Sequence, residues 1–398
     1  MGQSGSSADY KVVMDKYYMD MTQEGLLGAG SSSICRKGEV IETGAPVAIK
    51  IYRSPESGEV HRKSGKRFFL QKKEQTFTEA DEADTRFQKF SRQIAVLKEL
   101  MLPFETPADN ALWHDDLDTA TPEKLFVRLL DYSQDDKGEP APDPSDGELY
   151  VVTELASYSL KEYLAMQREA SHQISQQTLK NISKALVLVM AGLHAKGLVH
   201  LDMKPENLMI FNGRLKLIDV DGCVKAGAEV TMHDPSISFT PCYCAPELAN
   251  LISESEMTFR ADPRLDVWSV GCTVCELVTL DAMMKPIYSN FLCGNRTHRD
   301  AGFQFLEWLS SLDKAPLPEA IAEFDPDLAG FLNRSLLVCD EKQRKTCAEC
   351  LADPYLIDVL FHKSNTNPLS AIDGAPSKKH LGYLLPMSCL EPVYNNDD

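Results

Sequence analysis

Residues 200–210, "HLDMKPENLMI", place Asp202, Lys204 and Asn207 at offsets of two and five residues. The stretch follows the apolar helical run "ISKALVLVMAGLHAKGLV" (182–199) and precedes the strand-like "RLKLIDV" (214–220). An acid, a base and an amide between two buried elements form either a polar turn that satisfies local backbone or a set of groups held for chemistry. The rest of the chain decides between these readings.

At 398 residues the chain exceeds one ordinary core, and about 150 residues per domain points to two packed lobes. Its 43% hydrophobic and 25% charged residues are those of a soluble globular protein. The longest apolar stretch, "ALVLVMAGL" from Ala185, is far short of the ~20 residues of a membrane span. No secretory signal opens the sequence, so the eleven Cys are expected as free thiols in a reducing, intracellular and cytoplasmic setting. A net charge of −18 repels phosphate backbones and argues against a nucleic-acid partner. The pairs "CTVC" (Cys272, Cys275) and "CAEC" (Cys347, Cys350) have zinc-like spacing. Each sits in a helical segment with no further ligand beside it, and reads as core cysteine.

Residues 1–20 begin with small polar residues and read as a mobile tail. Gly2 followed by Ser6 also fits N-myristoylation, the one route by which this chain would meet a membrane. Residues 21–155 are strand-rich, with "EVIETGAPVAIKIY" forming two strands about a turn. Two polar insertions interrupt them and read as surface loops. The first, about 53–84, runs from the basic "HRKSGKR" to the acidic "EADEAD"; the second comprises "PFETPADNALWHDDLDTATPE" and "SQDDKGEPAPDPSDGE". Between them Phe87, Phe90, Ile94, Leu97 and Met101 recur at helical spacing. The boundary to a helical lobe, residues 156–363, falls near Glu154–Ser157, and 364–398 read as a C-terminal tail.

Around the opening stretch stand "LGAGSSSIC", "VAIK", "KLIDVDG", "TPCYCAPE" and "DVWSVGC", in that order. Together they resemble the eukaryotic protein kinase family, serine/threonine type, across about residues 20–360. The resemblance implies an α+β, bilobal fold with an antiparallel-sheet N-lobe and a mainly helical C-lobe. It implies ATP and Mg²⁺ as cofactors and proteins with Ser/Thr acceptors as partners. Phosphoryl transfer depends on positioning and charge neutralisation, and the matched residues take corresponding roles. Gly28 and Gly30 let backbone approach phosphates, and Lys50 holds them. Asp202 accepts the acceptor hydroxyl's proton, Lys204 neutralises the γ-phosphate, and Asn207 and Asp219 hold metal. Glu154 and Ala156 meet adenine through backbone with Thr153 as gatekeeper, and Thr240 supports the loop. Glu247 is expected to pair with Arg344, and Asp266 to anchor the catalytic loop.

Four departures qualify the match. Gln93 stands where the family's helix carries a glutamate for Lys50, which should leave that lysine less firmly held unless Glu82 or Asp84 substitutes. The metal motif reads Asp219-Val220-Asp221, and a shifted register would make Asp221 the metal ligand. Leu201 replaces an arginine that receives activation-loop phosphate, so dependence on phosphorylation at Thr231, Ser236 or Ser238 should be weaker. Ser33 replaces the third loop glycine. The alternative to an active kinase is a pseudokinase scaffold.

Overall fold

The computed structural model describes residues 9–30, 33–52, 79–231, 234, 239–254, 258–294 and 297–357, with side chains of the first helix from residue 85 onward. Gly2, the basic run of the first insertion, Glu82, Asp84, Ser236, Ser238 and the C-terminal tail lie outside the described residues or side chains.

Seven strands build an antiparallel sheet: β1 (Tyr10–Val13), β2 (Tyr17–Asp20), β3 (Leu26–Ala29), β4 (Ser33–Val40), β5 (Pro46–Tyr52), β6 (Leu129–Tyr132) and β7 (Leu149–Glu154). Their order is β1-β2-β4-β5-β7-β6, with β3 also on β4. Alternation along β5 sends Val47, Ile49 and Ile51 to one face, where they pack with Tyr150, Val152, Val13, Tyr17 and Met19. Tyr52 and Val151 belong to the opposite face, in the cluster that contains Phe90, Ile94 and Leu97. Lys50, in phase with Tyr52, therefore faces helix α1 (Glu79–Leu100) and the lobe below. Phe90, Ile94 and Leu97 are buried as their spacing requires, whereas Phe87 is 38% exposed and the apolar stripe begins at Phe90.

After β7 the chain is mainly helical. Helix α2 (Leu160–Glu169) starts in a capping box between Ser159 and Glu162. Helix α3 (Gln176–Ala195) starts at Ser175, whose hydroxyl accepts from the Thr178 N–H. The hairpin β8 (Leu208–Phe211) and β9 (Arg214–Leu217) turns at Asn212-Gly213, both at positive φ, the geometry this dipeptide favours. Helix α4 (Arg264–Thr279) is buried on all sides over most of its length, its polar members Asp266, Ser269, Thr273 and Glu276 included, as befits a helix at the centre of a lobe. The two lobes and the α+β class are those expected. Cys272, Cys275, Cys347 and Cys350 are buried, free core thiols.

Two expectations are corrected. The tail expected over residues 1–20 is structured from Tyr10, because β1 and β2 extend the sheet as a hairpin. Its turn, Met14-Asp15, has positive φ at both residues. The Met14 N–H donates to Asp143 Oδ2 at 2.9 Å, and Lys11 and Lys16 pair with Asp146 and Asp131 at 2.7 and 2.8 Å. The acidic half of the second insertion is thus a docked strap that meets the hairpin through Asp143, which is buried, and Asp146, while Asp131 of β6 holds Lys16.

The other half, expected as a surface loop, packs on the lower lobe. It forms helical turns at Asp116–Thr119 and Pro122–Leu125, buries Leu117 and Leu125, and pairs Asp116 with Lys184 of α3 at 3.2 Å. Gly192 of α3 permits this contact: a Cβ there would lie 2.9 Å from Leu125 Cδ1 and 3.2 Å from Phe104 Cζ. Gly192→Leu is expected to lower stability by about 1–3 kcal/mol despite leucine's better helix propensity. Urea denaturation checks this; an unchanged midpoint would mean that the insertion yields without cost.

Candidate active site

The polar residues of the loop 200–207 converge on Asp202. Its Oδ1 accepts from the Thr240 hydroxyl at 2.6 Å, its Oδ2 from Lys204 Nζ at 2.8 Å, and Lys204 also donates to Thr240 Oγ1 at 2.9 Å. Asn207 donates through Nδ2 to the Asp202 carbonyl at 2.8 Å, fixing the loop across five residues. Beneath it Asp266 of α4, fully buried, accepts from the backbone N–H groups of His200 and Leu201 at 2.7 and 2.8 Å and meets His194 Nε2 at 3.0 Å. That anchorage accompanies a positive φ at Leu201, an uncommon conformation for this residue type. The anticipated pair of Glu247 with Arg344 is present and bidentate, at 2.6 and 2.8 Å.

Lys50 is held more firmly than Gln93 led one to expect. Its Nζ donates to Asp219 Oδ1 at 2.7 Å and to Asp221 Oδ2 at 3.2 Å, and lies 5.0 Å from the centroid of the Tyr52 ring. Gln93 is buried but does not serve the lysine: its Oε1 accepts from the Tyr52 hydroxyl, whose oxygen also stands 3.4 Å from Asp221 Oδ2. Burial by itself would pull the Lys50 ammonium down, but Asp219 and Asp221 raise it well above the ordinary lysine value. In turn the Lys50 charge holds the Asp219 carboxyl down to about 2, with His200 and Lys204 adding to the attraction. The ion-paired cluster under the sheet and the Asp202 loop therefore lie within electrostatic reach of each other.

The remaining candidates frame these two clusters. Gly28 lies in β3 opposite Cys35 and Gly30 in the β3–β4 turn, where its N–H donates to the Ser33 carbonyl at 2.8 Å. Among the described residues a Cβ on Gly28 would meet no atom within 4 Å, so the space over it is open. Glu154 ends β7, and its Oε1 accepts from Lys216 Nζ at 2.5 Å and from the Arg128 N–H at 2.9 Å. This clamps the connection between lobes, and Ala156 follows it half-buried. The structure adds two residues that motif reading missed as site members, Tyr52 and Lys216, and sets Asp221, weighed there only as an alternative metal ligand, beside Lys50. Tyr52 carried a signal, two residues beyond Lys50 on one strand face; Lys216 carried none.

A strand-rich lobe over a helical lobe, with these polar clusters between them, defines the class: the chain belongs to the protein kinase family, whose protein kinase domain matches residues 123–356. Its relatives are serine/threonine kinases. It is 33% identical over 213 residues to mouse (Mus musculus) serine/threonine-protein kinase PAK 4, covering 52% of this chain and 31% of that protein. It is 26% identical over 306 residues to the mitogen-activated protein kinase hog1 of Blastobotrys adeninivorans, covering 71% and 68%. A match to serine/threonine-protein kinase MPS1 of Saccharomyces cerevisiae is 27% identical over 208 residues, covering 49% and 25%. The chain thus spans about a third of PAK 4. Gly28, Gly30 and Lys50 stand upstream of the matched domain, so their assignment rests on the sheet and its ion pairs.

Proposed function

We propose that this chain transfers the γ-phosphate of ATP to serine and threonine hydroxyls of proteins. The observation that carries the reading is the closed arrangement of Asp202, Lys204 and Thr240, with Asn207 tied to the same loop. In this reading Asp202 accepts a hydrogen bond from the acceptor hydroxyl and takes its proton as the oxygen bonds to the γ-phosphorus and the bond to the ADP oxygen breaks. Asp202 Oδ1 and Oδ2 are held by Thr240 and Lys204, and a carboxylate oxygen can accept more than one bond. Lys204 and Lys50 face the charge of the transferred group and of the remaining phosphates.

Asn207 and Asp219 fit a divalent cation that prefers oxygen ligands. The Asn207 nitrogen is committed to the Asp202 carbonyl, leaving its oxygen for a cation, and the Asp219 carboxylate is 43% exposed. Bound there, Mg²⁺ would supply charge neutralisation on the phosphates. Backbone at Glu154 and Ala156 meets adenine, and the open space over Gly28 accommodates phosphate. Free cysteines among the described residues support a reducing, cytoplasmic setting. Weak dependence on activation-loop phosphate is supported by direct ties from α1 to the segment after Asp221: Glu99 pairs with Lys225, and Arg92 approaches Asp234 at 3.9 Å.

The test is transfer from Mg-ATP to degenerate peptide libraries. Serine and threonine libraries are expected to accept phosphate, and a library with tyrosine as sole acceptor to stay at background. Nucleotide binding without transfer to any library would replace the kinase with the scaffold.

A further inference from the structure

We infer that Asp221 supplies the carboxylate for Lys50 that the described side chains of helix α1 do not, and that Tyr52 and Gln93 form the link through which α1 still governs this lysine. The inference rests on the kinase reading and concerns how the same site is positioned.

Three observations lead to it. The helix face toward Lys50 presents Gln93, an amide, and the described part of α1 brings no carboxylate to the lysine. Asp221 stands within 3.2 Å of Lys50 Nζ and is mostly buried, with 17% side-chain exposure. Tyr52 places one hydroxyl between Gln93 Oε1 and Asp221 Oδ2, so a displacement of α1 moves a group touching the lysine's partner. Lys50 has two anions beside it, Asp219 and Asp221. The more exposed one, Asp219, is suited to turn to a cation, and Asp221 then remains to hold Lys50 toward phosphate. Gln93 and the third residue of Asp219-Val220-Asp221 thus become one compensated change, a carboxylate moved from the helix to the metal motif. Asp221 is a positioning residue here, acting on substrate only through Lys50.

The experiment moves the carboxylate back. Wild type, Asp221→Gly, Gln93→Glu and the double variant are compared for peptide phosphorylation and, by calorimetry, for affinity toward metal-free ATP, Mg-ATP and adenosine. Asp221→Gly is expected to lose about tenfold or more in kcat. It should lose about three- to tenfold in ATP affinity with and without Mg²⁺, and none toward adenosine. Gln93→Glu is expected to restore most of both losses when combined with Asp221→Gly. Asp221→Asn, which removes the charge without adding backbone freedom, should repeat the loss and decides the matter if the glycine variant fails to fold. A double variant no better than Asp221→Gly overturns the inference, as does a loss confined to the Mg²⁺ measurements, which would make Asp221 a metal ligand. If wild type transfers no phosphate, the kinase reading falls separately and the affinity comparison still decides: equal ATP affinities across the four proteins would overturn the role of Asp221.

Discussion

Asp202→Asn is expected to lower phosphate transfer to a serine/threonine peptide by about 10²- to 10⁴-fold while leaving Mg-ATP affinity and the unfolding midpoint near those of wild type. The side chain is isosteric, so the neighbours can be kept. An amide oxygen can still accept from Lys204, and the amide nitrogen can donate to Thr240 Oγ1 once that hydroxyl turns to accept, preserving the contacts now 2.8 and 2.6 Å long. Asn207 binds the backbone carbonyl of residue 202, which the substitution does not touch. Asp266 holds the loop through the N–H groups of His200 and Leu201, also untouched. What disappears is the charged acceptor for the substrate proton. Steady-state phosphorylation beside nucleotide titration separates the effects. A variant retaining more than about a tenth of wild-type turnover would remove Asp202 from the chemistry.

The polar loop was legible because its parts are close in sequence. Asp202, Lys204 and Asn207 span six residues, and their mutual bonds follow from one turn between α3 and β8. The partners of Lys50 were not legible in the same way. Asp219 and Asp221 lie 169 and 171 residues downstream, and alignment to a familiar motif presents Asp221 as a lost glycine, not a gained carboxylate. The N-terminal hairpin was missed because its turn is Met14-Asp15, which lacks the Asn-Gly signature that marked the β8–β9 turn. The second insertion was misjudged for a related reason. Its Asp, Pro and Gly content describes local backbone preference, whereas the burial of Asp143 depends on an N–H at Met14, 129 residues away.

Glu247→Ala is expected to destabilise the protein by about 3–5 kcal/mol, the cost of stranding a buried cation. Arg344 is fully buried, donates two hydrogen bonds to Glu247, donates to the carbonyls of Val338 and Arg264 at 2.8 Å each, and stacks 5.3 Å from the Trp268 ring. A guanidinium cannot shed its proton to escape, so removing the carboxylate leaves charge without its counter-ion in the lower lobe's core. An Asp–Lys ion pair on the surface would contribute about 1 kcal/mol or less; burial and bidentate geometry make this one different. Urea denaturation at neutral pH measures the loss, and a change below about 1 kcal/mol would mean that water reaches Arg344 once the side chain is gone. The effect should extend to activity. Glu247 opens the helix Pro246–Ser253, directly after the segment that carries Thr240 to Asp202 and Tyr243 to Glu276. Loosening that helix slackens the segment that holds the Asp202 carboxylate. Turnover should therefore fall at temperatures below the lowered unfolding midpoint, while ATP affinity, which the proposed reading assigns to Lys50 in the upper lobe and to the backbone at Glu154 and Ala156, changes little.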